Sequence, residues 1–206
     1  MELSALLITF GTIFLVELPD KTFLATLVLS TRYRPLLVWL GVGLAFTVQT
    51  GVAVLLGRAV SFLPDDLVRG LAAVMFLVGA ALLAREARQA RADHTGQADA
   101  EASEGAEILE RAAPATGWRA VLASFLVLFA AEWGDLSQLL TITLVARFDA
   151  VLPVFVGALA ALLTVSALAV LVGRALTRRV PVHVLMWGGA SVCLALATLT
   201  AYELLA

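Results

Sequence analysis

Charge is scarce in this sequence: Asp, Glu, Lys and Arg make up 15% of it, where a soluble domain carries about a quarter. Cysteine is scarcer. Cys193 stands alone in 206 residues, which excludes an internal disulfide and argues against a cysteine-bound metal. His94 and His183 are the only histidines; one falls in a polar stretch and the other at the end of an apolar one, so zinc and copper sites are disfavoured. The net charge of −2, with no basic cluster beyond arginines flanking apolar runs, leaves no footprint for nucleic acid. The opening MELSALLITF lacks the basic start of a signal peptide and reads as the beginning of a mature helix.

What the chain has in abundance is apolar side chains, 61% of the total, with a mean hydropathy of +0.97. Apolar runs of about twenty residues, the length that crosses about 30 Å of hydrocarbon, recur six times, roughly at 3–30, 36–61, 66–85, 119–147, 151–175 and 182–205. The expectation is an all-α membrane protein with six transmembrane helices. The first and fourth runs are about 28 residues, or about 42 Å of ideal helix, so each must tilt or break. Between the third and fourth runs, residues 85–117 are polar and rich in Ala and charge. They divide the chain into 1–90, a linker at 91–117, and 118–206. Glu101, Glu104, Glu107 and Glu110 in that linker read as a solvated face.

Arginine placement predicts the orientation. Arg32, Arg34, Arg85, Arg88, Arg91, Arg111, Arg119, Arg174, Arg178 and Arg179 fall on one side, and only Arg58, Arg69 and Arg147 on the other. That puts the linker in the cytoplasm and both termini outside. The shortness of the chain points to a bacterial inner membrane.

The two halves repeat. FLVELPDKTFLATLVLSTRY (14–33) aligns without a gap on FAAEWGDLSQLLTITLVARF (129–148). Glu17 falls on Glu132, Asp20 on Asp135, Thr22 on Ser137, Thr26 on Thr141 and Arg32 on Arg147. One inserted residue later, GRA at 57–59 falls on GRA at 173–175. Each half has three spans, an odd number, so the second runs through the membrane upside down. Two inverted three-helix repeats place a site near the midplane, where the halves meet.

Glu17 and Asp20 share a helix face at a spacing of three, as do Glu132 and Asp135. A charge at the bilayer centre costs about 2.5–3.5 kcal/mol, so four carboxylates at matching places need a purpose beyond structural hydrogen bonding. Converging on one axis, they offer an all-oxygen site suited to Ca2+, Mn2+ or Mg2+. Thr22 and Ser137 can add hydroxyl ligands or hold a carboxylate. Gln138, opposite Phe23 in the repeat, and Gln49 are further polar candidates, as are Thr164 and Ser166; for Gln49, Thr164 and Ser166 an interhelical hydrogen bond is the equal alternative. Pro19 and Gly134 stand between the acids and predict a helix break whose freed carbonyls face a cavity. Lys21 has no twin, since position 136 is Leu; it is an internal counter-charge or it snorkels. Gly41-x-x-x-Ala45 and Gly157-x-x-x-Ala161 read as close-packing stripes. Trp133 either walls the cavity or faces lipid.

Crowded carboxylates in a low dielectric take up protons when no metal is bound. Metal entry then expels protons, and protons expel metal. That is cation/proton exchange, with the ion as substrate and no cofactor.

ELPDKT (17–22) and EWGDLS (132–137) resemble the signature Glu-x-Gly-Asp-(Lys/Arg)-(Thr/Ser) of the GDT family of cation transporters, a branch of the lysine-exporter superfamily. The resemblance covers the whole chain except the linker. It implies Mn2+ and Ca2+ transport coupled to protons, with manganese export in bacteria, and a cation site of Glu17, Asp20, Thr22, Glu132, Asp135 and Ser137, with Lys21 as the motif's basic residue. Two positions depart from it: Pro19 stands for Gly, and Leu136 for Lys or Arg. Two other readings compete. One is an exporter of amino acids or small organic cations on the same scaffold. The other is an intramembrane aspartyl protease using Asp20 and Asp135, which leaves both glutamates and the repeat unexplained. The oligomeric state is left open.

Overall fold

The computed structural model describes residues 2–18, 21–92, 116–179 and 182–205, and among these every regular element is a helix. In chain order they are α1 (Glu2–Glu17), α2 (Lys21–Arg32), α3 (Pro35–Val60), α4 (Asp65–Ala92), α5 (Trp118–Ala131), α6 (Leu136–Phe148), α7 (Val151–Arg179) and α8 (Val182–Leu205). Local chemistry sets several ends. Pro35 opens α3 at its first turn after an extended Arg34, where the missing amide proton costs nothing. Asp135 caps α6 by accepting from the Ser137 backbone N–H at 3.5 Å. Helix α4 runs on to Ala92, so residues 85–92 of the polar stretch are helical. His94 and the four linker glutamates lie outside the described residues.

Three helical segments are long and apolar enough to cross a membrane: Pro35–Val60, Asp66–Arg85 and Val151–Leu171. The pair α5 and α6 qualifies together as a span bent by 74° at a short break. The remaining segments fall below that length: α1 has 16 residues and α2 has 12, and the shorter apolar stretch Ala190–Tyr202 lies in α8. The six spans expected from composition are therefore three or four by length and composition among the described residues.

The helices pack between halves more than within them. α4 lies most extensively on α8, α1 and α2 on α7, and α3 on α5, α6 and α7. Two glycines show why. A Cβ on Gly41 of α3 would sit 2.3 Å from the Val121 carbonyl oxygen and 2.8 Å from the Ser124 Cβ of α5. A Cβ on Gly157 of α7 would sit 2.6 Å from the Leu6 carbonyl oxygen and 3.1 Å from the Thr9 Cβ of α1. In the register of the repeat, Gly41 is the counterpart of Gly157, Val121 of Leu6 and Ser124 of Thr9. The same contact is made twice. The stacked pairs Phe10–Phe14 and Phe125–Phe129, with centroids 5.7 and 5.3 Å apart, are counterparts too.

Several hydroxyls bond their own helix, while those of Thr9, Thr26 and Ser124 are buried with no hydrogen-bond partner among the described residues. Thr47, Thr141, Thr143, Thr164 and Thr200 each donate to the carbonyl four residues back, which removes the need for a partner elsewhere. Thr164 is exposed and Ser166 donates to Leu163 of its own helix, so neither reaches across to a neighbour by these bonds.

Candidate functional site

The two breaks fall at equivalent places. Helix α1 ends at Glu17 and α2 begins at Lys21; α5 ends at Ala131 and α6 begins at Leu136. Gly134 takes φ +79, a left-handed conformation that strains any residue with a Cβ, and this is what turns the chain between α5 and α6. Its counterpart Pro19 lies outside the described residues, as does Asp20.

Each break delivers a glutamate to the interior. Glu17 is the last residue of α1 and 1% exposed; Glu132 is the C-cap of α5 and 4% exposed. Asp135, half-buried, joins them: one carboxylate oxygen from each of Glu17, Glu132 and Asp135 lies within 4.8 Å of the others. Two oxygens on opposite sides of a cation bound at 2.3–2.6 Å are about 4.6–5.2 Å apart, so the three can share one divalent ion. The electrostatics agree. The C-terminal ends of α1 and α5 carry partial negative charge and unsatisfied carbonyls. Carboxylates added to such ends call for a cation.

Other predicted residues take different places. Thr22 is buried in the first turn of α2. Lys21 starts α2, but its side chain is not among those described. Ser137 and Gln138 line a crevice with Glu132, and Gln49 and Thr50 of α3 form the facing wall. Gln49 Nε2 donates to the Phe129 carbonyl at 3.1 Å, which occupies one of the acceptors in the last turn of α5. Gln138 spans the break, its Oε1 accepting from the Gly134 N–H at 2.9 Å. Trp133 is 56% exposed and tilts against Phe129, 5.0 Å between centroids, so it faces out and does not wall the crevice. Leu136 of α6 and Cys193 of α8 both approach Gly79 of α4, an apolar seam. Thr50 is the crevice residue that pattern reading missed; its counterpart Ser166 was legible as polar, and the repeat carried the signal.

The description "Divalent cation/proton antiporter GDT1" belongs to a family model that matches residues 5–91 and 120–206 of the chain. The chain belongs to the GDT1 family. The two matched blocks of this GDT1 chain are the two repeats, and they leave out 92–119, close to the segment read as a linker. It is 33% identical to a GDT1-like protein of Synechocystis over 65% of this chain and 66% of that one. A GDT1-like protein of Schizosaccharomyces pombe is 28% identical over 84% of this chain and 80% of its own length. A Vibrio cholerae protein named "Putative manganese exporter" is 29% identical over 97% of this chain and 92% of its own. No solved structure gives a significant match. As a GDT1-family member with helices apolar enough to span a bilayer, the chain is a transmembrane protein of a cation/proton antiporter family.

Proposed function

We propose that this chain exchanges divalent cations for protons, Mn2+ first and Ca2+ second, through a site built from both repeats. The observation that carries this reading is the gathering of Glu17 with Glu132 and Asp135, one oxygen each within 4.8 Å, at the ends of two broken helices. Asp20, Thr22 and Ser137 complete the proposed site, with Lys21, Pro19, Gly134, Gln138 and Gln49 around it. Oxygen donors alone favour hard cations, and the manganese-exporter name of the Vibrio relative points the same way.

The mechanism follows from charge. Three or four carboxylates gathered in one place repel one another, and either a divalent ion or protons can relieve that repulsion. A divalent ion replaces those protons, and protons arriving from the other side displace the ion. The paired glycine contacts support two inverted three-span repeats, which expose a central site to alternate sides by rocking. The arginine asymmetry supports a cytoplasmic linker and outer termini. The organic-cation exporter and protease readings have no separate observation in their favour.

The test is flux in liposomes, followed with Mn2+, Ca2+ and pH dyes. Wild type moves metal with a counterflow of protons, while Glu17→Gln, Glu132→Gln, Asp20→Asn and Asp135→Asn lose at least tenfold in rate. Metal flux that survives all four substitutions overturns the site. Metal flux without a pH change overturns the exchange.

A further inference from the structure

The two repeats match at the glycine contacts and differ beside the carboxylates. On one side, Gln49, Thr50 and Ala53 of α3 face Gln138 and Thr141 of α6 across the crevice that reaches Glu132. In the register of the repeat, Gln49 corresponds to Val165, Ala53 to Ala169 and Gln138 to Phe23. Those three counterparts form one buried apolar cluster: Phe23 is 4% exposed, Val165 1% and Ala169 0%, with Phe14, Leu18 and Leu168 packed on them. Where α3 and α6 present two amides, α7 and α2 present a phenyl ring and an isopropyl group.

The difference decides where a cation can move. An ion shedding water needs polar groups or other water in contact, and a dry apolar layer offers neither. The crevice offers both kinds of partner: Gln138 Nε2, buried with no hydrogen-bond partner among the described residues, can donate to a water the ion keeps, while the Thr50 hydroxyl in the wall supplies an oxygen. Beyond the crevice, α3 and α6 meet at Gly57 against Val145 and at the Arg58–Asp149 ion pair, whose side chains are 47% and 70% exposed. That mouth is closed by one buried helix contact, Gly57 on Val145, under an ion pair that water already reaches. The counterpart route is closed by side chains that water does not reach.

We propose that the crevice of Gln49, Thr50 and Gln138 is the wet route to the carboxylates, and that Phe23 with Val165 is the gate sealing the opposite route. This deepens the exchange reading above and rests on it for the identity of the ion. With the linker in the cytoplasm, the wet route is the outer one and the gate lies on the cytoplasmic side. Release to that side then requires α2 and α7 to part at Phe23, while the outer route opens where the Arg58–Asp149 pair and the Gly57–Val145 contact part. The substrate meeting this gate is a partly hydrated divalent cation.

Thr50 and Ser166 are counterparts on the two routes and test the idea directly. In a Cys193→Ala background, Thr50→Cys and Ser166→Cys are each placed in nanodiscs, which expose both faces, and reacted with a charged methanethiosulfonate reagent without metal. Thr50→Cys is expected to react at least tenfold faster than Ser166→Cys. Adding Phe23→Ala to Ser166→Cys is expected to raise its rate at least fivefold; Val165→Ala serves where Phe23→Ala does not give monodisperse protein. Equal rates at the two cysteines overturn the proposal, and so does a Ser166→Cys rate that neither gate substitution changes. The labelling needs no transported ion, so it reads the gate even if the liposome assay shows no metal flux; failure of the exchange reading appears in that assay alone.

Discussion

Glu17 and Glu132 sit at the worst end of a helix for an anion and in the least hydrated part of the chain. Both costs fall if a divalent ion binds there, so the proposed site predicts that metal stabilises this protein. At a hundred times the Kd the gain is about 2.7 kcal/mol, seen as a rise in melting temperature with Mn2+. Glu132→Gln keeps the shape and removes the charge; it is expected to abolish most of the Mn2+-dependent rise while leaving the metal-free protein as stable as wild type or more so. Thermal unfolding in detergent with and without Mn2+ checks it, and an undiminished rise in the variant sinks it. Gly134 offers a second test at this scale. A Cβ there meets no neighbour, so the cost of Gly134→Ala is that of the φ of +79 alone, about 1–2 kcal/mol. Gly51→Ala, also with open space around it but inside α3, is the control and is expected to gain up to about 1 kcal/mol. The carboxylates were legible because charge in an apolar run is costly and hence conspicuous. Thr50 was not, because a hydroxyl in such a helix normally bonds its own backbone, and only the three-dimensional facing of α3 and α6 gives it another role. Leu136, the departure from the family signature, lies in an apolar seam where it and Cys193 both approach Gly79.

At the scale of elements, association in lipid gains little from apolar area, because the surrounding tails are as apolar as leucine. Close backbone approach does the work instead. Gly41→Ala and Gly157→Ala each drive a methyl group into a backbone carbonyl, at 2.3 and 2.6 Å. Backbone cannot swing aside as a side chain can, so each is expected to cost about 1–3 kcal/mol. Gly43→Ala meets only the Leu163 Cδ2 at 2.9 Å, the far end of a flexible side chain, and is expected to cost less than either. Melting temperatures of the three variants rank them, and a Gly43→Ala loss equal to the other two contradicts the argument. The small-residue stripes were readable as packing faces, and the long first and fourth runs as broken ones. Which helix each stripe meets was not readable. Gly41 could have met α1 or α2, its neighbours in sequence; that it meets α5 depends on how the halves fit, which no local pattern encodes.

At the scale of the molecule, each half covers the other. The largest contact of α4 is with α8, that of α1 with α7, and α3 shares its faces among α5, α6 and α7. The carboxylate group likewise draws Glu17 from one half and Glu132 and Asp135 from the other. A half alone therefore lacks both the surfaces that bury its glycine faces and the charges that complete its site. The sequence repeat made the duplication visible, while the exchange of partners between halves became visible only in the structure. The consequence is a test by dissection. Residues 1–92 expressed alone, or 116–206 alone, are expected to aggregate or be degraded, because each leaves Gly41 or Gly157 without the helix it is shaped for. Expressed together as two chains, they are expected to recover Mn2+ flux, since the contacts that matter run between halves and not through the covalent link at 93–115. Copurification of the two pieces through a tag on one of them reads the assembly, and the liposome assay reads the site. The sharper form replaces Gly41 by Leu in the first piece. That substitution blocks the seat of α5 and is expected to abolish copurification, whereas Gly51→Leu, on a face with open space, is expected to leave it intact. If a single half transports metal unaided, or if Gly41→Leu assembles as well as Gly51→Leu, the interlocked arrangement is not what holds this protein together.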